Sequence, residues 1–454
     1  MAEKNYLETL TAKTKKNYLT IALVIGALIL IVIFAVYFSG AEKSSVPSSQ
    51  PSEPAKQTEL RTENRELITT AYAAPATNHF GVINAQKDFA GVKEAGITWD
   101  RAYPGPFNWE KVGLDKFDWK TADKYVEAIQ EQNLNILATI WPFNSADQAK
   151  CYASETTLDY GELAGQLATK RRKPCDMDSY KFFVSALVER YDGDGVRDMP
   201  GLKYGIKHWE IASEPDVQLT GTGKIFFQGE GKDYAEILKA SYSAVKTADS
   251  SAKVLNGAVS KDGIGSVFWK DVFYNAKDSF DIANYHCADC DDSARIQEFK
   301  NFILQEGVDK PIWLTDFSVI GASDKEQSKF LFVGYLTALG KGADKVFYGR
   351  WAETLGGNLA KANIIELPST KRPAFFTLKA LIGKLDNYSS VKIVSDEHYE
   401  FNVPGKAVHA FLKSTDLQAD LQGDVVKMDY NGTIKNDKMY NIAGADVPIV
   451  LEKA

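Results

Sequence analysis

Two apolar segments that end in carboxylates could together carry out chemistry. The first runs from Trp209 to Pro215 and includes Glu214, and the second runs from Pro311 to Phe317 and includes Asp316. Two carboxyl groups that converge on one pocket can cleave a glycosidic bond, because one protonates the leaving oxygen while the other attacks or stabilises an oxocarbenium-like carbon. The sequence therefore predicts that Glu214 and Asp316 form a catalytic pair.

Short β-type runs alternate with amphipathic helical stretches from residue 79 onward. Eight strands are predicted, at residues 80–83, 96–101, 134–141, 204–212, 253–255, 280–285, 311–315 and 345–348. Helical periodicity is clearest at residues 119–132, 179–191, 234–248, 325–339 and 373–385. This alternation predicts an α/β fold of the (β/α)8 TIM-barrel type. A doubly wound sheet is the alternative, but no glycine-rich phosphate loop follows the first strand.

The barrel is predicted to span residues 77–388, and the pattern changes beyond it. Residues 389–454 alternate Val, Tyr, Phe and Ile with turn signals such as Pro404-Gly405 and Tyr430-Asn431-Gly432. Alternation of this kind, interrupted by turns, indicates antiparallel strands. We therefore expect a small accessory β-sandwich-like domain at the C-terminal end.

The N-terminal part of the chain predicts attachment to a membrane. Residues 18–38 are apolar and uncharged and are long enough for a transmembrane helix, and Lys13, Lys15 and Lys16 lie just before them. The positive-inside rule then places residues 1–17 in the cytoplasm. Residues 39–76 are rich in Ser and Pro and are expected to be a tether. We expect a single-pass protein of the cell membrane with its barrel outside the cytoplasm; a cleaved signal peptide is the alternative.

Charge excludes one class of partner. The formal net charge is -7 and the pI is about 5.5, so the chain has no broad basic surface. Nucleic acid is therefore not expected as a partner. No cofactor is predicted, and no metal: the acidic run from Asp192 to Asp198 lacks the spacing and final Glu of an EF-hand, and an ordinary turn is favoured there.

Four cysteines in an exported domain are candidates for disulfides. Cys151 is expected to pair with Cys175, because both lie in one long insertion. Cys287 and Cys290 form a C-x-x-C step, which fits either a short-loop disulfide or half of a metal site. A second C-x-x-C is absent from the sequence, so zinc is not predicted.

Polar and aromatic residues at predicted strand ends extend the candidate site. Arg101, His286 and Trp351 qualify by position, since active sites of TIM barrels lie at the carboxyl ends of the strands. An arginine near two carboxylates keeps at least one of them ionised. Glu210 points to the opposite side of its strand from Ser213, so we expect it to pair with a buried base instead of reacting.

These segments resemble the motifs of the clan of retaining TIM-barrel glycoside hydrolases, which includes cellulases, β-glycosidases and xylosidases. Residues 209–215 resemble the W-E-x-x-N-E-P motif of its fourth strand, and residues 311–317 resemble the P-I-W-x-T-E motif of its seventh. Residues 97–101 are similar to its second-strand arginine segment, and residues 371–376 to the run before its last helix. The likeness covers residues 79–450.

The resemblance implies a role for each candidate. Glu214 would be the general acid/base, and Asp316 would occupy the position of the nucleophile. Arg101 would orient and ionise Asp316, while His286 would hydrogen-bond the sugar or Asp316, although a purely structural role for His286 is the alternative. The expected aromatic contacts to sugar are Trp351, Trp141 and Tyr285. The implied partner is an oligo- or polysaccharide.

Two residues depart from the motifs of the clan. Ser213 replaces an Asn that would contact the sugar, and Asp316 replaces the nucleophile Glu. Aspartate is shorter by one methylene, which moves a retaining separation of about 5–5.5 Å towards the roughly 6.5 Å of an inverting site. Three outcomes are open: slow retaining hydrolysis, inversion, or an impaired carbohydrate-binding or surface-scaffold protein on the same barrel.

Overall fold

The computed structural model describes residues 75–453 except 115, 158–164, 220–222, 225, 291–294, 321–322, 353–362, 367–369, 413–423 and 439–447. The predicted membrane anchor at residues 18–38 and the tether lie outside these residues. Within the described part of the chain, no helix combines the length and apolarity that a membrane span requires.

Eight parallel strands form the central sheet and confirm the predicted TIM barrel. They are β1 (Phe80–Ile83), β2 (Trp99–Arg101), β3 (Asn135–Ile140), β4 (His208–Ile211), β5 (Lys253–Leu255), β6 (Ala283–Cys290), β7 (Ile312–Val319) and β8 (Ala343–Tyr348). Their order in the sheet is β5-β4-β3-β2-β1-β8-β7-β6. Parallel bridges between Leu255 and Ile282 and between Val259 and Tyr285 bring β5 next to β6 and close the barrel.

Helices surround the strands. They are α1 (Phe89–Ala95), α2 (Trp109–Val112), α3 (Lys120–Glu131), α4 (Ser145–Cys151), α5 (Met177–Tyr191), α6 (Gly231–Ala248), α7 (Val267–Ala276), α8 (Ile296–Gln305), α9 (Asp324–Gly340) and α10 (Pro373–Leu385). The sequence predicted α3, α5, α6, α9 and α10, whose apolar stripes are long. Capping side chains precede several of them; Asn144, for example, accepts hydrogen bonds from the amides of Ala146 and Asp147, the second and third residues of α4.

Strands β6 and β7 run further than the sequence predicted. β6 continues past Tyr285 to Cys290, and β7 continues past Thr315 to Val319. The pairing of the two strands shifts between Tyr285 and His286, which places His286 opposite Asp316. Irregular pairing of this kind changes the direction in which side chains point, and the hydrophobic periodicity of the sequence does not reveal it.

The N-terminal half of the barrel interior is packed with large side chains. Trp99, Trp313 and Phe347 form an aromatic layer there with three aliphatic residues. His208 lies between Trp99 and Trp313, with its ring 4.9 Å from that of Trp313, and burial lowers the pKa of His208 to about 3. This layer fills the barrel near the amino ends of the strands, so the cavity at their carboxyl ends is a pocket and not a channel.

The C-terminal region forms one antiparallel sheet in the described residues, where the sequence predicted a sandwich. Its strands are β9 (Ser390–Ser395), β10 (His398–Val403), β11 (Lys406–Phe411), β12 (Asp424–Asp429), β13 (Ile434–Lys438) and β14 (Ile449–Lys453), in the order β9-β10-β11-β14-β12-β13. The turn at Pro404-Gly405 joins β10 to β11, and Gly405 supplies the left-handed backbone that this turn requires. The sheet packs on α9, where the ring of Tyr399 covers Gly340.

Candidate functional site

Both predicted carboxylates lie in one pocket at the carboxyl ends of the barrel strands. The pocket has a volume of about 430 Å³ and is lined by Glu214, which follows β4, and by Asp316, in β7. Ser213 and His286 line it as well. Four of the residues predicted from the sequence therefore meet in a single cavity at the end of the barrel where active sites of this fold lie.

The backbone after β4 is unusual. Ala212 and Glu214 have φ angles of 61° and 42°, in the left-handed region that non-glycine residues rarely adopt. Each such residue costs about 1–3 kcal/mol and persists only where its surroundings hold it in place. Strain of this kind concentrates at functional sites, and here it includes the predicted proton donor itself.

Glu210 is the centre of a buried hydrogen-bond network beneath the pocket. It accepts from Arg101 Nε at 2.8 Å, Thr139 Oγ1 at 2.5 Å and Asn284 Nδ2 at 2.7 Å. Burial acts to raise the pKa of Glu210, but the attraction of Arg101 and the interaction with His286 outweigh it and lower the pKa to about 2. Glu210 is therefore ionised and serves as a fixed anion, as expected for a residue that pairs with a buried base.

Arg101 holds different residues from those the sequence predicted. Its Nε donates to Glu210, and its Nη2 donates to Ser213 Oγ at 3.1 Å, whereas Asp316 was the expected partner. Arg101 is fully buried, and its Nη1 has no hydrogen-bond partner among the described residues. Glu210 and Ser213 occupy the Nε and Nη2 donors, so Arg101 does not orient Asp316 through them, although its charge still favours the ionised form of Asp316, as the sequence predicted.

His286 hydrogen-bonds Glu214, where the sequence predicted a contact with sugar or Asp316. Its Nδ1 lies 3.0 Å from Glu214 Oε1, its Nε2 lies 2.8 Å from Thr315 Oγ1, and Nε2 is 3.6 Å from Glu210. Burial acts to lower the pKa of His286, but its interactions with Glu210 and Glu214 raise it to about 9. The ring is therefore a cation at neutral pH.

Asp316 is held by close packing and electrostatics. Its Oδ1 is buried and has no hydrogen-bond partner among the described residues, and it lies against Gly349 so closely that a Cβ there would be 1.9 Å away. Burial raises the pKa of Asp316, while His286, Arg350 and Arg101 oppose this by attracting its charge. The carboxyl group is thus poorly solvated and surrounded by three cations.

The aromatic residues predicted to contact sugar do not line the pocket. Trp141, Tyr285 and Trp351 are each fully buried. Tyr285 stacks on Phe299 of α8 outside the barrel, because neighbouring residues of a strand face opposite sides and His286 occupies the inner one. Trp351 packs against Phe375 of α10.

Other residues take the places of these aromatics. Tyr103 and Phe226 line the pocket, and Trp141 packs behind both of them while donating its indole hydrogen to the Pro104 carbonyl at 2.6 Å. Further polar lining comes from Asn84, Gln86, Lys87, Gln166 and Arg350. Arg350 was not predicted from the sequence, although it lies only two residues after the end of β8, and its position near a strand end is the signal that could have found it.

The four cysteines form two disulfides, and the acidic loop lies between α5 and β4, on the amino side of that strand. Disulfides join Cys151 to Cys175 and Cys287 to Cys290, the second one directly after His286. Ligand atoms of Asp192, Asp194 and Asp198 lie within 4.8 Å of one another, and they accept hydrogen bonds from amides of their own loop, as in a tight turn.

The chain matches no protein-family model and no curated protein sequence. Its fold is similar to that of solved glycoside hydrolases. One is a GH39 β-xylosidase from Caulobacter crescentus, at 12% identity and a TM-score of 0.57, covering 84% of this chain and 97% of that chain. A second is a family 39 glycoside hydrolase from Bacteroides cellulosilyticus, at 14% identity and a TM-score of 0.56, covering 83% and 81%.

A third similar structure is a glucosidase from Croceicoccus marinus, at 15% identity and a TM-score of 0.55, covering 83% of this chain and 96% of that chain. A glycoside hydrolase family 30 xylanase from Clostridium acetobutylicum gives 12% identity and a TM-score of 0.51. Each match includes more than the barrel, since 83% of 454 residues exceeds the span from β1 to α10. The resemblance inferred from the sequence is therefore confirmed at the level of the fold.

Proposed function

We propose that this chain is a glycosidase that hydrolyses O-glycosidic bonds of a surface or environmental polysaccharide. One observation carries the proposal: Glu214, which follows β4, and Asp316, in β7, line one pocket together with His286, which hydrogen-bonds Glu214 and lies opposite Asp316 in the sheet. The similarity of the fold to xylosidases, a xylanase and a glucosidase supports carbohydrate as the substrate.

The proposed roles follow from the environment of each carboxyl group. Glu214 gives a proton to the leaving oxygen, since it lines the pocket directly after β4 and its Oε1 is within hydrogen-bond distance of His286 Nδ1, a group that can supply a proton. Asp316 stabilises the oxocarbenium-like carbon, either by attacking it or by activating a water molecule on the far face of the sugar. Tyr103 and Phe226 contact the apolar face of the ring.

A second candidate function is carbohydrate binding without turnover, as in a surface scaffold. The observation in its favour is Asp316, whose carboxyl group is shorter than the usual Glu, carries a raised pKa and leaves Oδ1 without a partner among the described residues. A raised pKa reduces the fraction of Asp316 in the carboxylate form, which is the form that attacks carbon or deprotonates water. This candidate predicts glycan binding that does not depend on Glu214.

We also propose that the barrel lies outside the cytoplasm and is anchored by residues 18–38. Two disulfides use all four cysteines of the chain, and structural disulfides persist mainly in oxidising compartments. Protease digestion of intact cells tests this location. Loss of the barrel without lysis supports it, and full protection until lysis contradicts it.

Turnover by the full-length protein tests the proposed function. Aryl β-xylosides, aryl β-glucosides and xylan are incubated with the unmodified protein, with Glu214→Gln and with Asp178→Asn, a control whose carboxylate on α5 is 91% exposed. Removing a general acid slows turnover by about 10²–10⁴-fold. Turnover that is lost in Glu214→Gln and kept in Asp178→Asn supports the glycosidase. Binding to xylan by all three proteins without turnover supports the scaffold.

A further inference from the structure

A chain of hydrogen bonds with fixed donors leads from Glu210 towards the pocket. Glu210 accepts from Asn284 Nδ2, and the same amide nitrogen lies 3.2 Å from the Asn256 carbonyl oxygen. Two acceptors on one side of the amide identify that atom as nitrogen, so the other side is the carbonyl oxygen. Asn284 Oδ1 therefore accepts, and its partner is Thr315 Oγ1 at 2.7 Å.

The hydroxyl of Thr315 then determines which nitrogen of His286 carries a hydrogen. Thr315 has one hydroxyl hydrogen, and its acceptors are Asn284 Oδ1 and, at 3.4 Å, Glu210 Oε1. Neither of these oxygens donates. The contact of 2.8 Å between Thr315 Oγ1 and His286 Nε2 must therefore be donated by Nε2.

Because Nε2 of His286 always carries a hydrogen, the ring can gain or lose a proton only at Nδ1. The contact of 3.0 Å between Nδ1 and Glu214 Oε1 requires one proton, because two lone pairs repel each other. The pair is thus either an imidazolium with a carboxylate or a neutral imidazole with a carboxylic acid. The proton content of the two residues is the same in both forms.

We propose that His286 and Glu214 act as a single one-proton unit, in which His286 stores the proton that Glu214 delivers to the leaving oxygen. This inference rests on the proposed function and deepens it. His286 is a positioning residue here, because it acts through Glu214. When the glycosidic C–O bond breaks, its electron pair stays on the leaving oxygen, which takes the one proton of the unit. The water molecule that completes hydrolysis returns a proton to the unit.

The surroundings favour different forms before and after substrate enters. In the open pocket the imidazolium and carboxylate form is stabilised by Glu210 and Asp316, which lie in β4 and β7, and is opposed by the charge of Arg101. A bound sugar excludes water from Glu214, and a dry environment disfavours the charged form. Entry of substrate therefore moves the proton towards Glu214, which becomes an acid when it is needed.

Nitrogen NMR of the full-length protein labelled with ¹⁵N-histidine tests the inference without any substrate. The chain has five histidines, and the signals of His286 are identified by their loss in His286→Gln. We expect Nε2 to carry a hydrogen at every pH, and both nitrogens to be protonated at neutral pH. Glu214→Gln removes the shared proton site, so the ring should become neutral at pH 7 with its hydrogen still on Nε2. A neutral ring with hydrogen on Nδ1 in the unmodified protein overturns the inference.

Kinetics provide the second test. His286→Gln keeps a hydrogen-bonding side chain but stores no proton, so kcat should fall about 100-fold and the alkaline limb of the pH–rate profile should disappear. His79→Gln is the matched control, since His79 lies before the amino end of β1, its ring nitrogens hydrogen-bond the backbone oxygens of Asp344 and Tyr388, and it stacks on the Tyr388 ring. An equal loss at every pH with an unchanged alkaline limb overturns the inference. Absence of turnover by the unmodified protein instead overturns the proposed function, and the NMR result distinguishes the two failures.

Discussion

Arg101 and Glu210 form an ion pair of 2.8 Å in which neither side chain is exposed to solvent. The pair links β2 to β4 directly beneath the pocket, and Arg101 also donates to Ser213. Burying two charges is unfavourable unless hydrogen bonds compensate for the water that each charge loses. The other hydrogen bonds of Glu210 provide this compensation and hold the pair in place. It therefore sets the position of the residue before Glu214.

Arg101→Met should destabilise the protein by about 3–5 kcal/mol, because it leaves Glu210 as an unpaired buried charge. The free energy of unfolding in urea measures the effect. Lys181→Met is the control: Lys181 pairs with Asp178 at the surface, with 44% and 91% of the side chains exposed, and should cost at most about 1 kcal/mol. Equal losses in the two variants would contradict this ranking.

Gly349→Ala should slow turnover by about 100-fold while the protein stays folded. A Cβ at this position would be 1.9 Å from Asp316 Oδ1, so the carboxyl group must move, and a displacement of about 1 Å can cost that much. Gly383→Ala in α10 meets nothing within 4 Å and should leave kcat unchanged. Unaltered kinetics in Gly349→Ala would show that the position of Asp316 does not matter.

Stability should depend on pH in two separate windows. The pKa of Glu210 is lowered from 4.5 to about 2, so its stabilisation is complete above pH 4.5 and is lost as pH falls towards 2. The pKa of His286 is raised from 6.5 to about 9, so its stabilisation is complete below pH 6.5 and is lost as pH rises through 9. Urea unfolding at a series of pH values measures both.

The His286→Gln variant separates these two windows. It should remove the alkaline loss of stability and keep the acid loss, because Glu210 remains. An alkaline loss of the same size in this variant would assign that window to another group.

Tyr103→Ala should raise KM by up to about tenfold, since the aromatic contact to a sugar ring contributes about 0.5–1.5 kcal/mol. Tyr103→Phe keeps the ring and should change KM little. Tyr274→Ala removes an 87% exposed tyrosine from α7 and serves as the control. If Trp141→Ala raised KM while Tyr103→Ala did not, the buried tryptophan would be the better candidate for the platform.

Replacing Cys151 and Cys175 together by Ser should lower the free energy of unfolding by about 3 kcal/mol, because that disulfide closes a loop with a sequence separation of 24. The same change at Cys287 and Cys290, separated by 3, should have roughly half that effect on the unfolded chain. Denaturant unfolding under oxidising conditions provides both values. A larger loss for the shorter loop would point to its native contacts beside His286.

The strand ends were the predictable part of this molecule. Glu214 and Asp316 could be placed because apolar runs with carboxylates at their ends carry their own signal, and the alternation of strand and helix gave the barrel. The partners of Arg101 were not predictable. They depend on which buried acceptors the fold brings within hydrogen-bond distance of the guanidinium, and a motif match does not contain these distances.

The direction of side chains and the loops that cover them explain why the predicted aromatic residues do not line the pocket. Tyr285 and His286 are neighbours in β6, so only one of them can face the pocket. Trp141 lies at a strand end, but Tyr103 and Phe226 from distant loops cover it. Contacts made by loops depend on the whole fold, and no local pattern in the sequence contains them.

The contact between Gly340 and Tyr399 limits how this protein can be divided. A Cβ at Gly340 would lie 2.6 Å from the tyrosine ring, so the last residue of α9 and the C-terminal sheet are shaped to each other without space between them. Thr377 of α10 adds a hydrogen bond of 2.8 Å to the carbonyl of Tyr430. A chain that stops at residue 388 would expose the apolar sides of both helices to water. The C-terminal sheet thus covers α9 and α10 of the barrel, and a shortened form of this protein should retain it.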